Sequence, residues 1–221
     1  WGCIPTKALL KSAQVYEYCR HAADYGITVG EPAADFGSVI SRSRGVADAM
    51  SKGVQYLFKK YNITLINGFG KLAGENTVQV TAADNSVTEY KAPHIVLATG
   101  ARSRELPGIK QDGRRIIGYR EAMTLPSLPS SMVVIGSGAI GSEFAYFYQS
   151  LGTDVTLVEY LPRILPLEDE EVSRTVERSF KKMKMKILTA SSVESADTTR
   201  EKCSVVIKTP KGDVTVEADI V

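Results

Sequence analysis

Cysteine is scarce in these 221 residues: there are three, Cys3, Cys19 and Cys203. Scattered so widely they form no disulfide framework, and without a CxxC pair or a Cys/His spacing they suggest no zinc site, so no metal is expected. Cys3 and Cys19 cannot pair if they share one helix, whose rise of about 1.5 Å per residue sets them ~24 Å apart. Long apolar runs are lacking too. None approaches the roughly 18 residues of a membrane span, and no basic-then-apolar leader opens the chain, so no membrane role and a cytoplasmic location are expected. Nor is there an excess of one charge. With 27 Lys+Arg against 25 Asp+Glu the net charge is +2, which gives no reason to expect nucleic acid or a lipid surface as partner. Small-molecule chemistry is what remains.

An initiating methionine is also lacking, and the closing "EADIV" stops on an alternation that ordinarily continues as a strand, so the sequence reads as a piece of a longer chain. What is present suits one large or two small domains, with 43% hydrophobic residues. "WGCIPTKALL" sets Cys3 just ahead of a helix start, with Pro5 in the first turn and Leu9, Leu10, Ala13, Tyr16 and Ala23 at helical intervals up to a stop at Gly26. A second helix is expected between Ser38 and Tyr61, where Val46, Met50, Val54, Leu57 and Tyr61 form one apolar stripe, read as core. From Asn62 the texture changes to short alternating runs, "NITLING", "TVQVTA" and "VTEYKA", as in an antiparallel meander closed by a buried strand, "HIVLATG". A Pro- and Gly-rich stretch then marks a boundary at about residue 109.

The second part reads strand, glycine turn, helix, strand: "MVVI", "GSGAIG", "SEFAYFYQSLG", "DVTLVE". A lone GxGxxG is weak evidence. Here Gly136, Gly138 and Gly141 follow a strand and open a helix, and Glu159 ends the next strand, which is the full pattern of a dinucleotide site. The first glycine permits the tight turn, the second admits the pyrophosphate, and the third lets helix and strand pack closely. The helix N-terminus offers free N–H groups to the phosphates. Glu159 would accept from the ribose hydroxyls and repel a 2′-phosphate, which predicts NAD over NADP; Arg163 beyond an intact carboxylate does not make an NADP site. A further helix is expected from Glu168 to Met183, acidic at its start and basic at its "KKMKMK" end, in keeping with the helix dipole. Short strands are expected near 186–189, 204–208 and 214–216.

Position alone leaves Cys3 open between two readings: a thiolate favoured by a helix N-terminus, and a small buried hydrophobe. The segment "WGCIPTKALL" resembles the active-site segment of the flavin-dependent pyridine nucleotide-disulfide oxidoreductases, above all their dihydrolipoyl dehydrogenase branch. In that family it runs C-x-x-x-x-C-[IV]-P-[ST]-K. "NGFGK" (67–71), "IVLATGARS" (95–103), "VVIGSGAIGSEFA" (133–145) and "VTLVE" (155–159) extend the resemblance over almost the whole chain, in the family's order. The resemblance implies an α/β fold: a Rossmann-like NAD-binding domain, 109–221, inserted in a partial FAD-binding domain, 1–108, that carries the antiparallel β-meander. It implies that Cys3 is the flavin-proximal half of a redox disulfide whose other cysteine precedes Trp1, with Lys7 beside the flavin and Glu143 pairing with Lys7. Gly70 and the turn Thr99, Gly100 and Ala101 would lie against FAD. Gly136, Ser137, Gly138, Ala139, Ile140, Gly141, Ser142, Glu143, Glu159 and, less directly, Val193 would form the NAD site.

The activity so implied is oxidation of dihydrolipoamide, or of the lipoyl domain of a 2-oxo-acid dehydrogenase complex, with electrons passing through FAD to NAD in a homodimer. Glutathione and trypanothione reductases differ, with Lys where this chain has Thr6 and NADP-selecting residues in place of Glu159. Soluble transhydrogenase lacks the cysteine. Mercuric reductase and a freestanding NAD-binding module stay open as alternatives. Residues 1–221 by themselves are expected to turn over no lipoamide.

Overall fold

A computed structural model describes residues 1–221. Backbone contacts divide them into two compact units, Trp1–Asp48 with Ser103–Val221, and Ala49–Arg102. The fold is mixed α/β, with one parallel and two antiparallel three-stranded sheets.

In the first unit α1 (Cys3–Arg20) carries Cys3 as its first helical residue rather than ahead of it. The helix stops at Arg20, earlier than expected, and a 3₁₀ turn, Ala22–Tyr25, runs on to Gly26. Leu9 and Ala13 are fully buried, one turn apart as a helical stripe requires, against Phe144, Phe147 and Tyr148 of α4 (Ala139–Leu151). Phe36, the first residue of α2 (Phe36–Lys60), closes this core, its ring 6.3 Å from Phe147 and 6.2 Å from Tyr148. The Tyr148 hydroxyl donates to the Ala122 carbonyl at 2.6 Å, and burial pushes its pKa far up, so it stays a neutral donor.

In the second unit the last part of α2 is followed by β1 (Phe69–Gly74), β2 (Thr77–Thr81) and β3 (Val87–Lys91), an antiparallel meander. Three sequence expectations fail here. "NITLING" is not a strand; Ile63 and Leu65 are exposed. "HIVLATG" is neither strand nor buried, with Val96 87% and Leu97 69% exposed. The stripe of α2 is not core: Met50, Val54, Leu57 and Tyr61 all face solvent. The shared reason is that periodicity reports a face built to be covered, and a two-sided apolar strand needs a neighbour on each side. The chain supplies no such cover.

Back in the first unit, the short α3 (Tyr119–Ala122) precedes the parallel sheet β4 (Ser131–Ile135), β5 (Asp154–Val158) and β6 (Lys186–Leu188). Helix α4 crosses from β4 to β5, and α5 (Glu170–Lys182) from β5 to β6. Asp169 caps α5 by accepting from the Glu171 N–H at 2.8 Å, so the helix begins two residues later than expected. An antiparallel sheet follows, β7 (Ser192–Asp197), β8 (Cys203–Thr209) and β9 (Gly212–Ala218). The strand β7 was not expected, because "SVESAD" has too few apolar residues to alternate. Val133 and Val158 from the parallel sheet meet Cys203, Val205 and Ile207 in a second core. Beyond β9, Ile220 pairs in parallel with Met132, along β4.

Candidate nucleotide and thiol site

The strand β4 delivers the chain into Gly136, whose φ of +95° few side chains tolerate, and this turn starts α4. A Cβ on Gly141 would stand 1.9 Å from the Gly136 carbonyl oxygen, so only glycine lets the helix come this close to the turn. A Cβ on Gly138 would meet nothing within 4 Å. Each glycine thus has its own cause: conformation at 136, contact at 141, and open space at 138. Helix α4 has no side-chain cap, and the N–H groups of its first turn have no partner within the helix, which is the donor set an anion needs. Ala139 and Ile140 occupy that turn, Ile140 being exposed. Ser142 is buried, its hydroxyl donating to the Ser137 carbonyl at 3.0 Å.

Glu159 follows β5, and its side chain is buried, only 7% of the residue being exposed. Oε2 accepts from the Ser137 N–H at 2.8 Å and the Ser137 hydroxyl at 2.7 Å, while Oε1 accepts from the Leu161 N–H at 2.9 Å. The sheet fixes its backbone: Glu159 N–H donates to Leu188, and its carbonyl accepts from Ser191. The loop after Glu159 returns to the glycine turn, with the Leu165 N–H donating to the Ser137 carbonyl at 3.0 Å. Sequence reasoning missed Leu161 and Leu165 because they act through backbone N–H groups, which any residue but proline supplies. Arg163 turns into its own loop, donating to the Pro166 carbonyl at 3.2 Å. Val193 lies in β7, partly buried against the second core.

The thiol side is built on α1. Cys3 and Lys7 are one helical turn apart and therefore on one face. Both are exposed, and with Ile4, Ala8, Arg42 and Val46 they line a shallow depression of about 390 Å³ between α1 and α2. Arg42 ties the two helices by donating to the Ala8 carbonyl at 2.8 Å. Thr6, buried behind Cys3, donates to the Gly2 carbonyl at 2.8 Å. The Trp1 ring lies under the guanidinium groups of Arg44, 4.5 Å away, and Arg120, 5.8 Å away, contacts with no sequence signal.

Beside the core that packs α1 on α4, an ion pair joins the two helices. Lys7 Nζ stands 2.5 Å from Glu143 Oε1, joining α1 to α4 across 136 positions. The pair is open to solvent on the lysine side, 58% exposed for Lys7 against 27% for Glu143, so it is worth at most about 1 kcal/mol of stability. The remaining candidates belong to the second unit. There Gly70 lies in β1 opposite Val80, and Thr99, Gly100 and Ala101 form an exposed, irregular turn.

Strand, glycine turn, helix and buried acid give this chain the form of a dinucleotide-binding α/β protein. It belongs to the pyridine nucleotide-disulphide oxidoreductase family, whose model matches residues 1–221. It is 42% identical over 217 residues to the dihydrolipoyl dehydrogenase of Zymomonas mobilis, covering 98% of this chain and 47% of the relative. It is 46% identical over 183 residues to that of Chlorobaculum parvum, covering 83% of this chain and 39% of the relative. Among solved structures, LpdA from Mycobacterium tuberculosis matches with a TM-score of 0.87 at 28% identity, over 99% of this chain and 47% of that one. The flavoprotein disulfide reductase RclA from Escherichia coli shares the fold, with a TM-score of 0.76 at 24% identity, over 99% of this chain and 45% of that one. The chain therefore spans about half the length of the relatives it matches.

Proposed function

We propose that this chain carries the thiol and nicotinamide-nucleotide parts of an NAD-linked flavoprotein that oxidises a dithiol, dihydrolipoamide or a lipoyl domain, within a homodimer. The observation that carries this reading is the Lys7–Glu143 pair, which links the cysteine helix to the helix that follows the glycine turn. A nucleotide-binding module alone has no use for an exposed thiol one turn from that contact. The division into a flavin part, 1–108, and a nicotinamide part, 109–221, belongs to the same proposal.

The residues present fit a dinucleotide: the space over Gly138, the free N–H groups of α4 and the buried Glu159 suit a pyrophosphate and an adenosine ribose in turn. Toward a flavin, the first unit offers the open depression at Cys3 and Lys7. Bound FAD would supply two-electron transfer between a dithiol and a nicotinamide. The chain's own residues hold and orient. Cys3 presents a thiol at the first turn of α1, Lys7 places a positive charge beside it, and Glu143 fixes that charge. Glu159 holds the adenosine ribose and repels a 2′-phosphate.

The test uses the protein with its flanking sequence, assayed for lipoamide-dependent NADH oxidation. The reading expects turnover that Cys3→Ser abolishes while NADH binding persists. NADH binding with no turnover of any dithiol or disulfide by the unaltered protein would overturn it in favour of a binding module.

A further inference from the structure

The carboxylate of Glu159 is already engaged by three donors. A carboxylate offers about four lone-pair directions, so the two groups of Ser137 and the Leu161 N–H leave about one, on Oε1. Two of the three donors are backbone N–H groups and survive any substitution but proline. The third, the Ser137 hydroxyl, is the one donor that other substitutions can remove, and Ser137 is fully buried, so this hydroxyl is not a surface group finding a chance partner. The last torsion of a glutamate is broad and soft. With the hydroxyl in place, Oε2 has two anchors from one residue; without it, each oxygen keeps a single N–H and the carboxylate plane is held less tightly. The carbonyl of the same residue accepts from Ser142 and from Leu165, so Ser137 is itself held from two sides.

We propose that Ser137 is a positioning residue for cofactor selection. Its hydroxyl acts on Glu159, holding the carboxylate at one orientation for a ribose hydroxyl and preventing it from swinging aside for a 2′-phosphate. The inference rests on the proposal that Glu159 receives the adenosine ribose of NAD.

The 221-residue chain, Ser137→Ala, Glu159→Ala and the double variant are titrated with NADH and with NADPH, and each fold is checked by circular dichroism. Ser137→Ala should weaken NADH by about three- to tenfold, the size of one hydrogen bond to a charged group, while NADPH holds or tightens. In the Glu159→Ala background the same substitution should change nothing further, which a purely structural role for the hydroxyl does not predict. Ser137→Gly, which also keeps the N–H, should reproduce Ser137→Ala and carries the test if the latter fails to fold. A Ser137→Ala chain whose NADH:NADPH ratio stays within about twofold of the unaltered chain, or that binds NADH more tightly, overturns the inference alone. An unaltered chain with no preference for NADH overturns the cofactor reading and this inference with it.

Discussion

Two cysteines of one chain are set apart by their surroundings. Cys3 is exposed at the start of α1, whereas Cys203 is fully buried in β8 with its Sγ 3.7 Å from the Asp219 carbonyl oxygen. Burial pushes the Cys203 thiol above its ordinary pKa, against the opposing pull of Arg115, so less of it is thiolate at pH 8 and no reagent reaches it in the folded state. Labelling of the native chain with a thiol-specific reagent at pH 8, read by peptide mass, should modify Cys3 in preference to Cys203, with Cys203 reacting only once denaturant is added. The residues proposed to carry chemistry, Cys3, Lys7, Glu143 and Glu159, were named from the sequence, and of these the structure pairs Lys7 with Glu143. The contacts that set their geometry were less so: the Ser137 hydroxyl on Glu159 and the arginines over Trp1 depend on a third dimension that spacing does not encode.

Legibility among elements follows how locally each is determined. The β4–α4–β5 crossover was readable because a single turn carries its own explanation in three glycines, an apolar strand before and an acid after. Its tightest point is testable. Gly141→Ala places a methyl where the Gly136 carbonyl oxygen already stands, so helix or turn must shift, at a cost of about 3 kcal/mol or more. Urea unfolding followed by circular dichroism should show that loss or an unfolded protein, and Gly138→Ala, with open space around it, should lose much less. Elements whose burial depends on distant chain were misread instead. "HIVLATG" has the composition of a two-sided strand, and α2 has a clean apolar stripe, yet Val96 and Val54 are exposed because neither pattern says which segment provides the cover. The polar β7 was missed for the opposite reason, since its pairing with β8 rather than its own sequence makes it a strand.

Across the whole molecule, family membership rests on a match over residues 1–221, while the relatives are about twice as long. The activity of such a longer protein is therefore a proposal, but every residue of the proposed nucleotide site lies in this chain and can be tested in it. Charge balance bears on the choice of ligand: at a net +2 the molecule has no general attraction for a more anionic nucleotide, so selection has to come from the site. The group proposed to select is Glu159, buried beside the glycine turn. Calorimetric titration of the unaltered chain and of Glu159→Ala with NADH and NADPH reads this directly. The account predicts NADH binding at least about tenfold tighter than NADPH, with the difference lost in Glu159→Ala. Equal or tighter binding of NADPH by the unaltered chain, or a preference that survives the loss of Glu159, would contradict it.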